Sequence, residues 1–262
     1  MHNAAFRRLG LKYRYVVYAV PPARLAQAVE SIRTLGLAGV NVTIPHKERV
    51  IPHLDQLTAE ARLMGAVNTI VNRRGRLIGH NTDGRGFLLA LRRTLGLSPR
   101  GRAVCLLGAG GAARGVATAL AQAGVKRLVI ANRTRRRGAA LARRLQRQFG
   151  RRGLAVRAIS MTVGSLARQT EGCEWLINAT AVGLKPLDPP PLDPSLLPRF
   201  SFVCDLIYSP PETRLLRDAR AAGCRTMNGL DMLVYQGALS FELWTGRTAP
   251  ISVMKRAASR VI

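Results

Sequence analysis

Two turns of the chain place an amine and a carboxylate where they could take part in chemistry. Lys47 ends the run Asn41-Val-Thr-Ile-Pro-His-Lys47, and Asp83 ends Asn81-Thr-Asp83. Each turn follows an apolar, strand-like stretch, and loops held by rigid elements are where reactive groups usually sit. Taken alone, Lys47 is better explained as a solvated surface lysine and Asp83 as a helix cap, because most charged residues are exposed. The pair gains its significance from the sequence that follows it.

A glycine-rich turn separates an apolar run from a helical pattern near the middle of the chain. The run Val104–Leu107 is followed by Gly108, Ala109, Gly110, Gly111 and Ala112. Glycines let the backbone approach a pyrophosphate, and the helix N-terminus supplies amide hydrogens and partial positive charge. A tight structural turn would use the same residues, but the strand and helix around this cluster favour a dinucleotide site.

The end of the next strand indicates which dinucleotide binds. Arg127–Ala131 is an apolar strand that ends in Asn132, Arg133 and Thr134, with Arg137 close behind. NAD sites usually place an acidic residue here for the ribose 2′-hydroxyl, whereas guanidinium groups suit a 2′-phosphate. A solvated helix start accounts for Arg135 and Arg136 but less well for Arg133. The pattern therefore predicts NADP.

With these motifs in place, nearly the whole chain resembles shikimate dehydrogenase. The resemblance rests on seven ordered motifs: Asn41–Lys47, Gly65-Ala66-Val67-Asn68-Thr69, Asn81-Thr82-Asp83, Gly108–Ala112, Asn132-Arg133-Thr134, Asn178-Ala179-Thr180 and Asn228–Gln236. It implies that Lys47 and Asp83 form the catalytic pair. It also implies that Thr43, Asn68, Asn81 and Gln236 bind the substrate hydroxyls, with Tyr208 lining the site. The residues it implies for the cofactor are Gly108, Ala109, Gly110, Gly111, Ala112, Asn132, Arg133, Thr134, Arg137, Thr180 and Gly229.

Two departures from the family pattern stand out. In the family, a strand and a Ser-x-Ser-Pro motif precede the Met-His-Asn segment, which here begins at Met1. Those serines are the ones expected to hold the substrate carboxylate. We therefore expect this 262-residue chain to bind NADP(H) but to turn over shikimate poorly. Ala181-Val182 follow Thr180 where a hydroxyl residue is more usual, which would weaken one cofactor contact.

Alternating strand and helix patterns predict an α/β fold with two domains and a cleft between them. Residues 1–98 form the predicted substrate domain, which helices in 230–262 complete, and residues 99–229 form a Rossmann-type NADP-binding domain. Within the first domain, Tyr15–Val20 is predicted as a strand, and Glu48–Met64 is predicted to contain helical patterns. In the second, strands are predicted near Leu128–Ala131, Trp175–Asn178 and Phe202–Leu206, and residues 186–198 as a loop.

Composition narrows the class of protein. No apolar run is long enough to span a bilayer, and no signal-peptide pattern opens the chain. Four scattered cysteines indicate buried free thiols in a reducing cytoplasm, and the four histidines form no metal-ligand pattern. The net charge of +27 comes mainly from arginine. A solvated basic surface explains it better than nucleic-acid binding, because no aromatic residues interleave the arginines.

We therefore expect an NADP-dependent oxidoreductase that interconverts 3-dehydroshikimate and shikimate, working as a monomer or homodimer on a small-molecule substrate. No metal and no membrane are expected to take part. A quinate/shikimate dehydrogenase relative using NAD is one alternative. A nucleotide-binding paralogue with little turnover is another, which the missing N-terminal motif favours and the intact Lys47 and Asp83 oppose.

Overall fold

The computed structural model describes residues 1–185 and 187–260. The first part of the chain builds a small mixed sheet with helices packed against it. Its elements are α1 (His2–Arg8), α2 (Leu25–Thr34), β1 (Gly39–Asn41), β2 (Gln56–Leu57), α3 (Ala59–Met64), β3 (Thr69–Arg73) and β4 (Arg76–His80). The strand order is β1-β3-β4-β2. Leu25, Val29 and Ile32 recur at helical spacing, so one face of α2 packs into the core of this sheet.

A long helix, α4 (Asp83–Leu95), leads from this sheet to the second one. The elements that follow are β5 (Ala103–Leu107), α5 (Gly111–Gln122), β6 (Arg127–Ala131), α6 (Arg135–Phe149), β7 (Ala155–Ile159), α7 (Val163–Gln169), β8 (Trp175–Asn178), β9 (Phe202–Asp205), α8 (Arg214–Ala221) and β10 (Arg225–Met227). All strand pairs in this sheet are parallel. The order β10-β9-β8-β5-β6-β7 reverses direction at β5, and such a point is where open α/β sheets bind ligands.

The chain then returns to the first domain through α9 (Leu230–Thr245) and α10 (Ile251–Ser259). Phe241 of α9 stacks on Phe6 of α1 with ring centroids 5.3 Å apart. Val234 and Met254 are fully buried in the same cluster. The two-domain α/β class is therefore confirmed, and the N-terminal helix is joined to the last two helices by one apolar core.

One predicted element of the first domain is wrong, and a second is shorter than its pattern suggested. Tyr15–Val20 is not a strand, because no strand of the described residues lies alongside it to complete a ladder, and Val17 is 88% exposed. Tyr15 is held instead by the side chain of Asn3. The helical patterns within Glu48–Met64 correspond to a short 3₁₀ helix at Ile51–His53 and to α3, with turns and β2 around them. Pro52 fits the short helix, where its missing N–H costs nothing.

Three elements of the second domain were not anticipated. The strands β7 and β10 lie at the two edges of the sheet, and exposed Arg157 and Arg225 obscure their apolar pattern. The predicted loop at 186–198 contains a 3₁₀ helix at Pro194–Arg199, capped by the side chain of Asp193. Pro186 lies outside the described residues.

Candidate active site

The amine of Lys47 and the carboxylate of Asp83 meet in the cleft between the two sheets. Lys47 Nζ lies 2.7 Å from Asp83 Oδ2, and the two side chains are only 14% and 4% exposed. Lys47 comes from the turn after β1, whereas Asp83 is the first residue of α4. A carboxylate in the first turn is stabilised by the helix dipole. Pairing and hydrogen bonding offset the cost of burying both charges.

Asp83 is held on every side, so its carboxylate has a fixed direction. Its second oxygen, Oδ1, accepts a hydrogen bond of 2.9 Å from Asn68 Nδ2. Its backbone N–H donates to Asn81 Oδ1 at 3.0 Å, while Asn81 Nδ2 donates to the carbonyl of Ala66. The acid is therefore positioned before any ligand arrives, which is the condition for efficient electrostatic catalysis.

A buried polar network extends from Asn68 to α9. Asn68 Nδ2 also donates to Gln236 Oε1 at 3.2 Å and to Thr82 Oγ1 at 2.9 Å. Ser240, one turn beyond Gln236, has its hydroxyl 2.7 Å from that of Thr69. Ser240 and Thr69 were not among the predicted site residues. The spacing of four from Gln236 on a predicted helix was the available signal for Ser240, because residues i and i+4 share a face.

The glycine-rich turn has the shape of a phosphate cradle. Gly108 adopts a φ of +108°, and a methyl group there would lie 2.9 Å from the carbonyl oxygen of Ala179. Gly110 precedes α5 without a side-chain cap, and a methyl group on it would meet open space. The N-terminus of α5 therefore has no side-chain cap and borders open space at Gly110, as an anion site requires.

Lys47 reaches this turn from the opposite side of the cleft. A methyl group added at Gly111 would lie 2.9 Å from Lys47 Cβ and 3.1 Å from Lys47 Cδ. The aliphatic part of the lysine thus packs directly on the first residue of α5. Only glycine at this position lets the two domains approach so closely.

The strand end at β6 offers cations and a hydroxyl. Arg133 is exposed, and its side chain makes no hydrogen bond or ion pair among the described residues. Thr134 precedes α6, and its hydroxyl makes no capping bond. Asn132 Nδ2 donates to the carbonyl of Thr134 at 2.8 Å, which fixes the turn. Together with the glycine cradle, this donor set fits a dinucleotide that carries a 2′-phosphate.

Comparison with known proteins agrees with this geometry. Residues 1–70 match the shikimate dehydrogenase substrate binding domain, residues 90–158 the shikimate / quinate 5-dehydrogenase domain, and residues 229–258 the shikimate 5'-dehydrogenase C-terminal domain. The chain is 48% identical to the shikimate dehydrogenase (NADP(+)) of Methanopyrus kandleri, over 98% of this chain and 88% of that one. The chain belongs to the shikimate dehydrogenase family.

Solved structures of the family and its neighbours share the fold. A shikimate 5-dehydrogenase from Thermus thermophilus, in complex with NADP(H) and shikimate, superposes with a TM-score of 0.87 at 39% identity, covering 100% of this chain and 93% of that chain. The ligand-free 5-ketofructose reductase of a Gluconobacter strain superposes with a TM-score of 0.86 at 40% identity, with coverages of 100% and 92%. Likeness of this degree fixes the architecture, whereas the substrate must be argued from the site.

The remaining residues that the family resemblance implied fall into two groups. Thr43 is exposed at the rim, and Tyr208 is 40% exposed in the loop after β9; within residues 1–185 and 187–260, neither side chain hydrogen-bonds to the Lys47–Asp83 cluster. Thr180 lies beside Gly108 of the cradle, whereas Gly229 packs against the backbone that follows β9. The hydroxyl of Thr180 donates to Asn178 Oδ1 at 2.7 Å, and a methyl group on Gly229 would collide with the carbonyl of Leu206.

The sheet that carries the cradle also buries a carboxylate. Asp205, at the end of β9, accepts from Thr213 Oγ1 at 2.7 Å and from Asn178 Nδ2 at 3.0 Å. Burial raises the pKa of Asp205 to about 6, against the lowering effect of these bonds. Asp205 fixes the turn after β9 rather than facing the cleft.

Elsewhere in the described chain, no helix is long and apolar enough to cross a membrane. The same residues contain no cluster of three or more His, Cys, Asp or Glu side chains that could hold a metal ion.

Proposed function

We propose that this protein catalyses the reversible, NADPH-dependent reduction of 3-dehydroshikimate to shikimate, a reaction of aromatic amino acid biosynthesis. The observation that carries the proposal is the buried ion pair between Lys47 and Asp83, 2.7 Å long, beside the glycine cradle at Gly111. A cationic proton donor fixed next to a dinucleotide cradle suits reduction of a carbonyl, because the oxygen gains negative charge as the hydride arrives.

The cofactor is proposed to be NADP(H), held by the glycine turn and the β6 strand end. The residues assigned to it are Gly108, Ala109, Gly110, Gly111, Ala112, Asn132, Arg133, Thr134, Arg137, Thr180 and Gly229. When bound, NADPH supplies a hydride to the carbonyl carbon of the substrate. The exposed guanidinium groups suit the extra phosphate that distinguishes NADP from NAD.

Lys47 is proposed as the general acid. Its ammonium group would donate a hydrogen bond to the carbonyl oxygen of the substrate and transfer a proton as negative charge develops there. Asp83 keeps the amine in place, because its other oxygen is already bound by Asn68. In the oxidative direction the same pair takes the proton from the substrate hydroxyl.

Substrate hydroxyls are proposed to bind Thr43, Asn68, Asn81 and Gln236, with Tyr208 closing one side. Asn68 donates hydrogen bonds to Asp83 Oδ1 and to Gln236 Oε1, so Gln236 is linked to the catalytic pair through Asn68, which supports both assignments. Both ends of the Asn81 amide are bound to backbone groups, the carbonyl of Ala66 and the N–H of Asp83. In the absence of ligand, Asn81 therefore positions Asp83.

The four cysteines bear on where the protein works. All four are free and buried, and burial raises the thiol pKa of each. Buried unpaired thiols suit a reducing compartment, so we propose a cytoplasmic location.

The proposal is tested by following NADPH absorbance with 3-dehydroshikimate, and in parallel NADH, quinate and 5-ketofructose. We expect the highest kcat/KM for the pair NADPH and 3-dehydroshikimate. Preference for NAD with quinate would replace the proposal by a quinate dehydrogenase. Dinucleotide binding without turnover of any of these substrates would instead indicate a binding protein.

A further inference from the structure

The residue after Lys47 binds two arginines of the other domain. Glu48 Oε2 lies 3.1 Å from Arg114 Nη2, and Glu48 Oε1 lies 3.1 Å from Arg137 Nη2. Arg114 stands in the first turn of α5 and Arg137 in the first turn of α6. A single carboxylate thus connects the substrate domain to the first turns of both α5 and α6.

Glu48 supplies negative charge to a region that has none of its own. No Asp or Glu occurs in the sequence between Asp83 and Glu171. Among the described residues, Glu48 is the one carboxylate that forms an ion pair with α5 or α6. Within the described part of the chain, Glu48 is therefore the only carboxylate near these arginines that would compete with a phosphate for them.

The two ion pairs differ in their surroundings. The Arg114 side chain is 17% exposed, whereas that of Arg137 is 55% exposed. Charge pairs shielded from water interact more strongly than exposed pairs, which salt and solvent weaken. The Arg114 pair is thus the firm attachment, and the Arg137 pair is the one that an incoming anion can exchange.

The firm attachment lies next to the catalytic amine. Lys47 packs on Gly111 and Glu48 pairs with Arg114. Positions 111 and 114 are three apart on α5 and share one face of the helix. Two consecutive residues of the substrate domain are therefore held on one helical turn of the other domain.

We propose that Glu48 is a positioning residue that links the 2′-phosphate site to the catalytic lysine. Through Arg114 it holds the Lys47 segment against α5, and through Arg137 it competes with the 2′-phosphate of the cofactor. This inference rests on NADP(H) being the cofactor, as proposed above.

The test for the competition uses Glu48→Gln, which keeps the size of the side chain and removes its charge. Dissociation constants for NADPH and NADH are measured by titration calorimetry without substrate. We expect the Kd for NADPH to fall about two- to fivefold, because an exposed ion pair contributes about that much to binding. The Kd for NADH should not change. In an Arg137→Gln background, Glu48→Gln should no longer change the ratio of the two constants.

Glu60→Gln is the matched control for loss of one negative charge. Glu60 is a half-buried glutamate in the first turn of α3 and makes no ion pair among the described residues. The Glu60→Gln variant should leave the ratio of the dissociation constants for NADPH and NADH unchanged. An equal change for both dinucleotides in Glu48→Gln, or a shift that persists without Arg137, would overturn the competition.

The link to Lys47 is tested by steady-state kinetics at saturating cofactor. Glu48→Gln and Arg114→Gln should each lower kcat by about tenfold with little change in the substrate KM, because a displaced catalytic group acts on the rate. Arg114→Gln should leave the NADPH-to-NADH ratio of dissociation constants unaltered. Wild-type kcat in both variants would overturn this link. If the wild-type protein itself shows no preference for NADPH, the assignment of NADP(H) as cofactor would be wrong. The kinetic test of Glu48 would still apply with the other dinucleotide.

Discussion

The cleft contains two polar regions that are built in opposite ways. Around Lys47 and Asp83, the side chains of Asn68 and Asp83 are almost fully buried and hydrogen-bonded to one another. At the β6 strand end, Arg133 is exposed and, in the described part of the chain, forms no side-chain bond. The first region is fixed by the fold, whereas the second depends on charge and on the ligand it meets.

The two regions are therefore expected to contribute to different kinetic parameters. A prearranged, water-excluded cluster stabilises charge at the reacting atoms without further reorganisation, so its loss should appear in kcat. Exposed cations attract an anion but are screened by salt, so their loss should appear in cofactor affinity. The mutations below separate these two effects, beginning with the largest.

Lys47→Ala should lower kcat by about 10²–10⁴-fold with a smaller change in KM, as loss of a general acid does. The rate is measured by NADPH absorbance with 3-dehydroshikimate. Arg49→Ala removes a nearby exposed cation and serves as the control for loss of one positive charge. Near-normal turnover in Lys47→Ala would remove this residue from the mechanism.

Gly111→Ala should lower kcat by up to about 10²-fold, because the new methyl group would displace the side chain of Lys47. Gly110→Ala is the neighbouring control, since its methyl group would enter open space in the cradle. We expect Gly110→Ala to raise the KM for NADPH and to leave kcat nearly intact. If both variants behaved alike, the contact between Lys47 and α5 would have no role in catalysis.

Arg133→Ala should raise the KM for NADPH about ten- to hundredfold and leave NADH unaffected, since a charge-assisted bond contributes about 1.5–3 kcal/mol. Arg136→Ala, an exposed arginine three residues along, should have little effect on either cofactor. The NADPH effect should shrink as ionic strength rises. Equal effects on both cofactors would reduce Arg133 to a surface charge.

Acid should change the free energy of unfolding in opposite directions through one buried group in each domain. Burial lowers the pKa of His2, near α9, to about 4. The stability that this shift contributes to the folded protein is present above pH 6.5 and is lost as the pH falls towards 4. Burial raises the pKa of Asp205 to about 6, so its contribution is present below pH 3.8 and is lost as the pH rises through 6. Between pH 7 and pH 5 each group changes the unfolding free energy by about 1–2 kcal/mol.

Urea unfolding at pH 7 and pH 5 measures these contributions. His2→Gln should remove the loss on acidification, and Asp205→Asn should remove the gain. A wild-type difference between the two pH values that neither variant alters would show that other groups control the acid response.

Much of the fold was predictable because the second domain follows simple periodic rules. The strand β5 is apolar throughout, as expected for a strand covered on both faces, and the glycine turn and α5 follow it directly. Tyr15–Val20 has an equally strand-like composition and forms no strand, because composition does not supply a neighbouring strand. The edge strands β7 and β10 were missed because their exposed arginines break the apolar pattern.

Local sequence accounts for the reactive groups of this protein: a lysine, an aspartate, a glycine cradle and arginines without an acidic partner nearby in the chain. Local spacing suffices for these, since each motif lies within one turn between a strand and a helix. Which of these groups meet follows from the three-dimensional fold. Glu48 lies 66 residues before Arg114 and 89 before Arg137 in the numbering, yet all three share one ion cluster. Ser240 reaches Thr69 in the same way. Such pairs depend on how two domains pack, and no local pattern records that packing.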